Sequence, residues 1–255
     1  MKSLLHKSWV YLKLVWRWYV NQYRGKWYQK TVTPIASFFV LVFLYLGAVD
    51  VNFLGLFGVS PTMDVIQNPV TNDASFVYSA DSVLIGKYFN ENRSPVKFDE
   101  ISPYVIDALI STEDERFYQH HGIDYQGLFA AMKDVVKGNP RGASTITQQL
   151  VKNLFKIRSQ YSTGLLGKVP GLGILVMKSK EWITAIKIEN MYSKKDILTL
   201  YLNTVDFGSN SFGIKTAAKT YFKTTPQNLT AEQAAVLVGL LKATTTYNPK
   251  VNPKI

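Results

Sequence analysis

The chain has 255 residues, of which 47% are hydrophobic and 18% are charged. This composition excludes intrinsic disorder and supplies enough apolar surface for a sizeable buried core. The absence of cysteine excludes disulfides, thiolate nucleophiles and cysteine-based zinc sites, and only three histidines disfavour a multi-histidine metal centre. Lys and Arg exceed Asp and Glu by 11, which indicates an anionic partner.

The N-terminal region predicts a membrane anchor. Residues 1–30 carry seven Lys or Arg, no Asp or Glu, and four of the five tryptophans. Residues 31–49 are uncharged, and at about 1.5 Å per residue a helix of that length nearly matches the roughly 30 Å hydrocarbon core of a bilayer. We predict a cytoplasmic basic and aromatic segment over 1–30, which suits a helix lying along the membrane surface, and a transmembrane anchor over 31–58.

Three other interpretations of this region are weaker. Basic residues interleaved with aromatics are also typical of a nucleic-acid arm, but the adjacent apolar span argues against that partner. An unusually apolar core helix is the alternative to a membrane span. A cleavable signal peptide would have a shorter charged region and an A-x-A-like site after the apolar run. We therefore expect a retained single-pass anchor with a cytoplasmic N-terminus, a chain that is outside after about residue 60, and no nucleic-acid partner.

The organisation changes after the anchor. Residues 59–84 are interrupted by Pro, Asn and Asp, and predict a linker with a short β element, because ASFVYSADSVLIGKYF has the composition of a two-stranded hairpin. The patterning then becomes helical nearly to the end. We expect one helical domain over 85–250 and a C-terminal tail over 251–255.

The first segment with chemical character is SPYVIDALISTEDERFYQHHGID, residues 102–124. Pro103 suits an early helical position and Gly122 suits a helix C-terminus. Four residues form one apolar stripe of the predicted helix: Ile106, Leu109, Ile110 and Phe117. Glu113 lies on that stripe, where burial raises the proton affinity of a carboxylate, so it is a candidate general acid or base. A salt-bridged glutamate at the edge of the stripe is the alternative.

The second segment is GNPRGASTITQQLVKNLFKIR, residues 138–158. Ser144 or Thr145 can start a helix there. Ser144, Gln148 and Lys152 recur at i, i+4 and i+8, which predicts one polar stripe. A hydroxyl near a helix N-terminus, with an amide and an ammonium above it, suits an anionic oxygen or a sugar hydroxyl. An ordinary solvated face explains the stripe equally well.

The third segment spans residues 178–208. Glu181, Ala185 and Glu189 share one face of the predicted helix, with Lys178 one turn before Glu181. Two carboxylates separated by a small alanine leave room for a ligand group. Ordinary i, i+3 pairing with lysines is the alternative, which we favour for Glu189.

Five sequence blocks follow one another in a fixed order. They are EDERFYQHHGID (113–124), RGASTITQQLVKN (141–153), KSKEWITAIKIE (178–189), SKKDILTLYLN (193–203) and GIKTAAKTYF (213–222). Together they resemble the motifs of the family 51 peptidoglycan glycosyltransferases, the polymerase domains of class A penicillin-binding proteins and of monofunctional murein polymerases. The resemblance covers about residues 85–250, and five ordered blocks make it far more specific than any single motif.

The resemblance implies a fold, a reaction and partners. The fold is mainly α, with a lysozyme-like helical catalytic domain and a small membrane-dipping subdomain. The enzyme polymerises lipid II, a disaccharide-pentapeptide on undecaprenyl diphosphate, into β-1,4-linked glycan strands at the bacterial inner membrane. The implied partners are lipid II, the nascent glycan strand, the lipid bilayer and other cell-wall synthesis proteins. No cofactor is required, and Mg²⁺ or Mn²⁺ is the one candidate.

The resemblance also assigns roles to individual residues. Glu113 matches the general base that deprotonates the acceptor 4-hydroxyl, and Glu181 matches a second glutamate beside the diphosphate or a divalent ion. One matched set lines the donor cleft: Ser144, Thr145, Gln148, Gln149, Lys152 and Asn153. Four cations are candidates to offset the diphosphate charge: Lys152 first, then Lys178, Lys180 and Arg158.

Two departures from the family pattern concern the residues expected to bind the diphosphate. Met177 stands where the family usually has an arginine, although Lys178 keeps the second cation. The stretch 159–177 is longer than the usual connection. Its Leu, Val and Ile content fits a membrane-dipping segment, while its Gly and Pro residues leave its conformation open.

Other functional classes remain as alternatives. A lysozyme-like muramidase or lytic transglycosylase would use Glu113 as a general acid, and a silent membrane scaffold would need neither glutamate. No SxxK, SxN or KTG motif of a transpeptidase follows the last predicted helix. We expect either a monofunctional polymerase or, with slight preference, the N-terminal part of a bifunctional protein.

Overall fold

The structure is a computed structural model that describes residues 2–69, 75–88, 94–139 and 142–252. The chain divides into two compact units, Met1–Phe53 and Leu54–Ile255. The first unit consists of two long helices, α1 (Lys2–Arg24) and α2 (Trp27–Asp50).

Helix α2 is long and apolar enough to cross a membrane. It begins four residues before the predicted span and ends eight residues before the predicted boundary at 58. Its start is defined by Lys26, which is extended (φ −63°, ψ 157°) and whose backbone N–H donates to Gln29 Oε1 at 2.8 Å. This extended residue separates α2 from α1.

The described part of the second unit is built almost entirely from helices. They are α3 (Met63–Gln67), α4 (Pro103–Glu113), α5 (Tyr125–Val136), α6 (Ile146–Leu154), α7 (Ile157–Gln160), α8 (Leu172–Met191), α9 (Lys194–Thr204), α10 (Ile214–Ala217) and α11 (Ala231–Lys242). Two short strands, β1 (Ser75–Tyr78) and β2 (Leu84–Tyr88), precede α4. The predicted mainly α class is confirmed.

The predicted hairpin is also confirmed. Strands β1 and β2 pair antiparallel, with Ser75 opposite Tyr88 and Tyr78 opposite Leu84. The register shifts once, between Val77 and Tyr78. Strand β2 continues to Tyr88, four residues beyond the predicted end of this element.

The core of the second unit forms around α6. This helix packs between α8 and α9, while α4 packs against α11. Four helices each contribute a fully buried aliphatic side chain to one continuous cluster: Leu109, Leu150, Ile197 and Leu237. Burial of such a side chain stabilises the fold by about 1.5–3 kcal/mol. The polar residues of α6 are therefore held at a fixed depth beside α4 and α8.

Two helix boundaries differ from those predicted. The first helix ends at Glu113 and does not reach Gly122, because Asp114 leaves the helical region (φ −161°, ψ 70°). Its carboxylate instead binds groups in other segments, and such side-chain bonds compete with helix continuation. Phe117, predicted on the same helix, is fully buried from the loop that follows. The helix that carries Glu181 and Glu189 begins at Leu172, six residues before the third segment, and ends at Met191 within it.

The stretch 159–177 adopts a defined backbone. It contains the end of α7, a 3₁₀ turn over 166–168 and the first turns of α8. The Leu166 N–H donates to Leu56 O at 2.9 Å. Gly164 has φ +63°, and a Cβ there would lie 2.5 Å from the Leu56 carbonyl. A glycine is therefore required where this stretch packs against the start of the unit.

Candidate active site

A polar cleft of about 450 Å³ contains the first predicted catalytic residue. Glu113 lies at the end of α4 and lines this cleft together with Ser144 and Thr145, which precede α6. Glu113 is partly buried. The structure thus brings the predicted base to the same cavity as two residues of the second sequence block.

A chain of two hydrogen bonds, from Tyr201 through Gln149, positions the Glu113 carboxylate. Gln149 Nε2 donates to Glu113 Oε2 at 2.7 Å, and Gln149 Oε1 accepts a hydrogen bond from the Tyr201 hydroxyl at 3.0 Å. Burial, and then the charge of Glu113, raise the pKa of Tyr201 well above its usual range. The hydroxyl therefore stays protonated and donates. Tyr201 is not predictable as a site residue from the sequence, because nothing in the spacing of the fourth block connects it to Glu113.

Asp114, the residue after the predicted base, links the loop to α6. Both of its carboxylate oxygens lie 3.0 Å from His120 Nε2, and Oδ2 also accepts the Ile146 backbone N–H at 2.9 Å. The carboxylate is buried and occupies the N-terminus of a helix, where negative charge is stabilised. Asp114 thereby fixes Glu113 relative to the helix that carries Gln149. The sequence does contain a signal for this role, because Asp114 directly follows the predicted base and His120 lies six residues further on.

The predicted stripe of Ser144, Gln148 and Lys152 does not form. Helix α6 is capped by Thr145, whose Oγ1 accepts the Gln148 N–H at 3.2 Å, so Ser144 lies outside the helix. Gln148 is buried, and its Nε2 donates to Gly122 O at 3.0 Å, the same carbonyl that receives the Thr145 hydroxyl at 2.8 Å. Gln148 therefore ties α6 to the loop after α4.

Lys152 and Asn153 lie one turn beyond Gln149 on α6. Both are partly exposed. Residues three and four positions apart share a helix face, so both follow Gln149 along the same side of α6.

A second cluster surrounds Glu181, whose side chain is 1% exposed. Arg158 Nε donates to Oε1 at 2.8 Å, and Lys178 Nζ donates to Oε2 at 2.9 Å. Lys178 Nζ also donates to Ser144 Oγ at 2.9 Å. The two cations outnumber the one carboxylate, so the cluster carries a net positive charge beside the cleft residue Ser144. Arg158 is 58% exposed, which leaves its guanidinium accessible.

The structure places Lys180 elsewhere. Its ammonium is fully buried and donates to three backbone carbonyls, those of Gly58 at 2.9 Å, Val59 at 2.7 Å and Ser162 at 2.8 Å. Burial lowers the pKa of Lys180 to about 8. All three ammonium hydrogens therefore have partners within the fold. The sequence groups Lys180 with Lys178 and Arg158, but the structure does not place it in the Glu181 cluster.

Glu189 makes the lysine pair that the sequence favoured. Lys194, five positions later and not three, lies 2.8 Å from Glu189 Oε2, and the Thr147 hydroxyl donates to Oε1 at 2.6 Å. The two glutamates of α8 therefore do not share one ligand site.

The residues around Glu181 do not fit a divalent metal. Each of its carboxylate oxygens already accepts a hydrogen bond from a cation. Within the described ranges, no three His, Cys, Asp or Glu side chains are grouped to hold a metal ion.

A partly buried glutamate in a polar cleft, with two cations held beside the cleft residue Ser144, suits a transferase that handles a sugar with an anionic leaving group. The family described as Transglycosylase matches residues 81–255, and the chain belongs to this family. The predicted enzyme class, a peptidoglycan glycosyltransferase, is confirmed.

Similar proteins carry the same domain within longer chains. The chain is 42% identical over 175 residues, 68% of its length, to penicillin-binding protein 1A of Escherichia coli. It is 34% identical over 228 residues, 88% of its length, to penicillin-binding protein 1F of Bacillus subtilis. The match to penicillin-binding protein 1A of Neisseria gonorrhoeae is 36% over 224 residues, 87% of the chain. The chain spans only 19%, 29% and 26% of these relatives' lengths, respectively.

Proposed function

We propose that this chain polymerises lipid II into β-1,4-linked glycan strands, with Glu113 as the general base. The observation that carries the proposal is the continuity between the two glutamate clusters. Glu113 and Ser144 line one cleft, and Ser144 is bonded to Lys178, which is paired with Glu181. A proton acceptor and a cationic site are thus joined within one unit of the fold, as inverting transfer from a diphosphate-linked sugar requires.

The bond-forming step begins with the acceptor sugar. Glu113 takes the proton of the 4-hydroxyl as the oxygen attacks C1 of the lipid-linked donor sugar. The bond between C1 and the diphosphate oxygen breaks with inversion, and undecaprenyl diphosphate departs with the electron pair. General base catalysis of this kind contributes about 10² to 10⁴ in rate. The protonated Glu113 then returns its proton to water.

The leaving diphosphate is stabilised by the cations around Glu181. Arg158 is accessible and Lys178 lies next to the cleft residue Ser144, so both can approach the phosphoryl oxygens. Lys152 would add a third positive charge from α6. Glu181 would hold Arg158 and Lys178 apart in fixed positions, because separate carboxylate oxygens bind them. Preorganised charge of this kind is the larger part of many enzymatic rate enhancements.

The bilayer is the second partner in the proposal. Exposed apolar side chains on α8 include Ile174, 78% exposed, and Leu175, and those on α5 include Phe129 and Val136. Where exposed apolar side chains of this kind form a patch, they mark an interaction site for membranes or proteins. These residues support a membrane-dipping subdomain beside the site, where the substrate lipid would remain in the bilayer.

The topology follows from the charge distribution. The first thirty residues are basic without any acid, so α2 would cross the bacterial inner membrane with its N-terminus in the cytoplasm. The catalytic unit would then lie outside the cytoplasm, where other cell-wall synthesis proteins would meet it. Because the chain has no cysteine, single cysteines at Asn21 and Glu232 can test this arrangement with an impermeant maleimide on intact cells.

The decisive experiment uses labelled lipid II and the detergent-solubilised full chain. We expect glycan polymer from wild type and none from Glu113→Gln, with equal thermal stability of the two proteins. The matched control is Asp107→Asn, an exposed carboxylate on the same helix, which should polymerise like wild type. Wild-type turnover by Glu113→Gln would refute the base assignment. Cleavage of isolated glycan in place of polymerisation would support a muramidase or lytic reaction instead.

A further inference from the structure

Helix α1 has an apolar face with exposed side chains and is joined directly to the candidate membrane span. Only Gly25 and Lys26 separate it from α2, so its last residue lies within roughly 10 Å of the start of α2 at the maximal extension of the chain. If α2 spans a bilayer, as proposed above, the C-terminal end of α1 is held near the membrane surface.

The break between the two helices has its own structural basis. The Gln29 side chain folds back to accept the Lys26 N–H at 2.8 Å. A Cβ on Gly25 would lie 1.7 Å from Gln29 Oε1, so a larger residue at position 25 would displace the Gln29 side chain from this position. The helix restarts at Lys26 and α1 is not a continuation of the span.

The residues of α1 segregate onto two faces. At about 100° per residue, Tyr11, Val15 and Tyr19 recur at i, i+4 and i+8 and mark one face. Three tryptophans border that face: Trp9, Trp16 and Trp18. Three basic residues occupy the opposite face: Lys13, Arg17 and Arg24. A helix with an aromatic and aliphatic face opposite a basic face is typical of helices that lie in a membrane interface.

The apolar face is exposed within the first unit. Tyr11 is 69% exposed, Val15 63% and Trp16 66%. Two of the tryptophans contact neighbouring side chains of α1. Trp16 stacks on Tyr19 with ring centroids 6.3 Å apart, and Lys13 Nζ lies 3.5 Å from the centre of the Trp9 ring. Lysine beside tryptophan at the border of the two faces suits the level of lipid headgroups.

The positive charge of the N-terminal segment indicates which partner binds this face of α1. Residues 1–30 contain seven basic and no acidic residues, so a second copy of α1 would be repelled. An anionic lipid surface attracts the basic residues and offers an apolar layer to the opposite face. We propose that α1 lies in the bilayer interface beside α2, with its apolar face in the acyl region and its basic face toward anionic headgroups.

The test uses single cysteines in the full chain, which has none of its own. Nitroxide labels are placed at Val15 on the apolar face, at Arg17 on the basic face and at Val40 in α2. The proteins are reconstituted in nanodiscs that contain phosphatidylglycerol. Accessibility to oxygen, which concentrates in lipid, is compared with accessibility to an aqueous nickel chelate.

We expect the ratio of oxygen to nickel accessibility at residue 15 to exceed that at residue 17 by about threefold or more, with residue 40 deeper still. A residue 15 label that is as accessible to nickel as residue 17 would overturn the inference while leaving α2 as a span. A water-accessible label at residue 40 would overturn the span and the inference together. Spin–spin broadening at residue 15 without oxygen access would show a second copy on this face and would also overturn it.

The anionic requirement is tested by charge reversal. In the Val15→Cys protein, Lys13→Glu with Arg17→Glu should lower the accessibility ratio at residue 15 by at least about threefold in phosphatidylglycerol nanodiscs, because two basic residues are reversed and each strengthens binding to an anionic surface about fivefold. The matched control reverses two exposed charges of the second unit, Lys215→Glu with Lys219→Glu, and should leave the ratio unchanged. An equal loss in both pairs would contradict the anionic assignment.

Discussion

Gln149 Nε2 lies 2.7 Å from Glu113 Oε2, and only one orientation of the Gln149 side-chain amide allows this contact. The Tyr201 hydroxyl is buried, and its raised pKa keeps it a donor, so the oxygen of the Gln149 amide must accept from it at 3.0 Å. The amide nitrogen is therefore directed to Glu113. A residue deep in α9 thus sets the position of the carboxylate through one glutamine on α6.

Removal of this chain of hydrogen bonds should slow polymerisation without unfolding the protein. A hydrogen bond to a charged group contributes about 1.5–3 kcal/mol, so Gln149→Leu should lower kcat by roughly 10- to 150-fold. Tyr201→Phe keeps Gln149 but frees its amide to rotate, and should cause a smaller loss. Initial rates with labelled lipid II measure both. Unchanged kcat in Gln149→Leu would show that Glu113 is positioned by other contacts.

Asp114 should be required for stability as well as activity. Asp114→Ala leaves the Ile146 N–H and the His120 ring without their buried partner, which should cost about 2–4 kcal/mol of unfolding free energy. Asp114→Asn keeps one acceptor and should cost less. Denaturant unfolding measures both. Asp107→Ala removes an exposed carboxylate on α4 and serves as the control, and a loss in that variant equal to the loss in Asp114→Ala would contradict the role assigned to Asp114.

The sequence predicted some of these residues because local periodicity carries their position. Glu113 follows the apolar stripe of α4, and Thr145 is a helix cap, so both follow from short-range rules. Lys180 could not be predicted in the same way, because its partners are carbonyls more than 100 residues earlier and 18 residues earlier. Adjacent residues on a helix point about 100° apart, so Lys180 faces away from the cluster that its neighbour Glu181 forms.

Substitutions in the cation cluster should affect activity and stability to different degrees. Arg158 is exposed, so Arg158→Ala should lower kcat/KM for lipid II by about tenfold or more. Its loss of Tm should be smaller than that of Glu181→Gln, because the buried Glu181 carboxylate keeps Lys178 as a partner. Glu181→Gln, by contrast, weakens a buried group bonded to two cations and should lower both activity and Tm. Lys215→Ala, an exposed lysine far along the chain, is the control for loss of positive charge. Equal Tm losses in Arg158→Ala and Glu181→Gln would contradict this division.

Lys180 should make stability depend on pH in the alkaline range. Lys180→Met leaves three carbonyls without their donor, each at a cost of about 1–3 kcal/mol, so the variant should be less stable than wild type at pH 7. Burial lowers the pKa of Lys180 from 10.5 to about 8, so between these values the unfolded chain binds a proton that the folded chain does not. The stability of wild type relative to Lys180→Met should therefore rise with pH across this window. Unfolding free energies at pH 7, 8.5 and 10 measure the difference, and a gap that stays constant or narrows would show that Lys180 keeps an ordinary pKa in the folded protein.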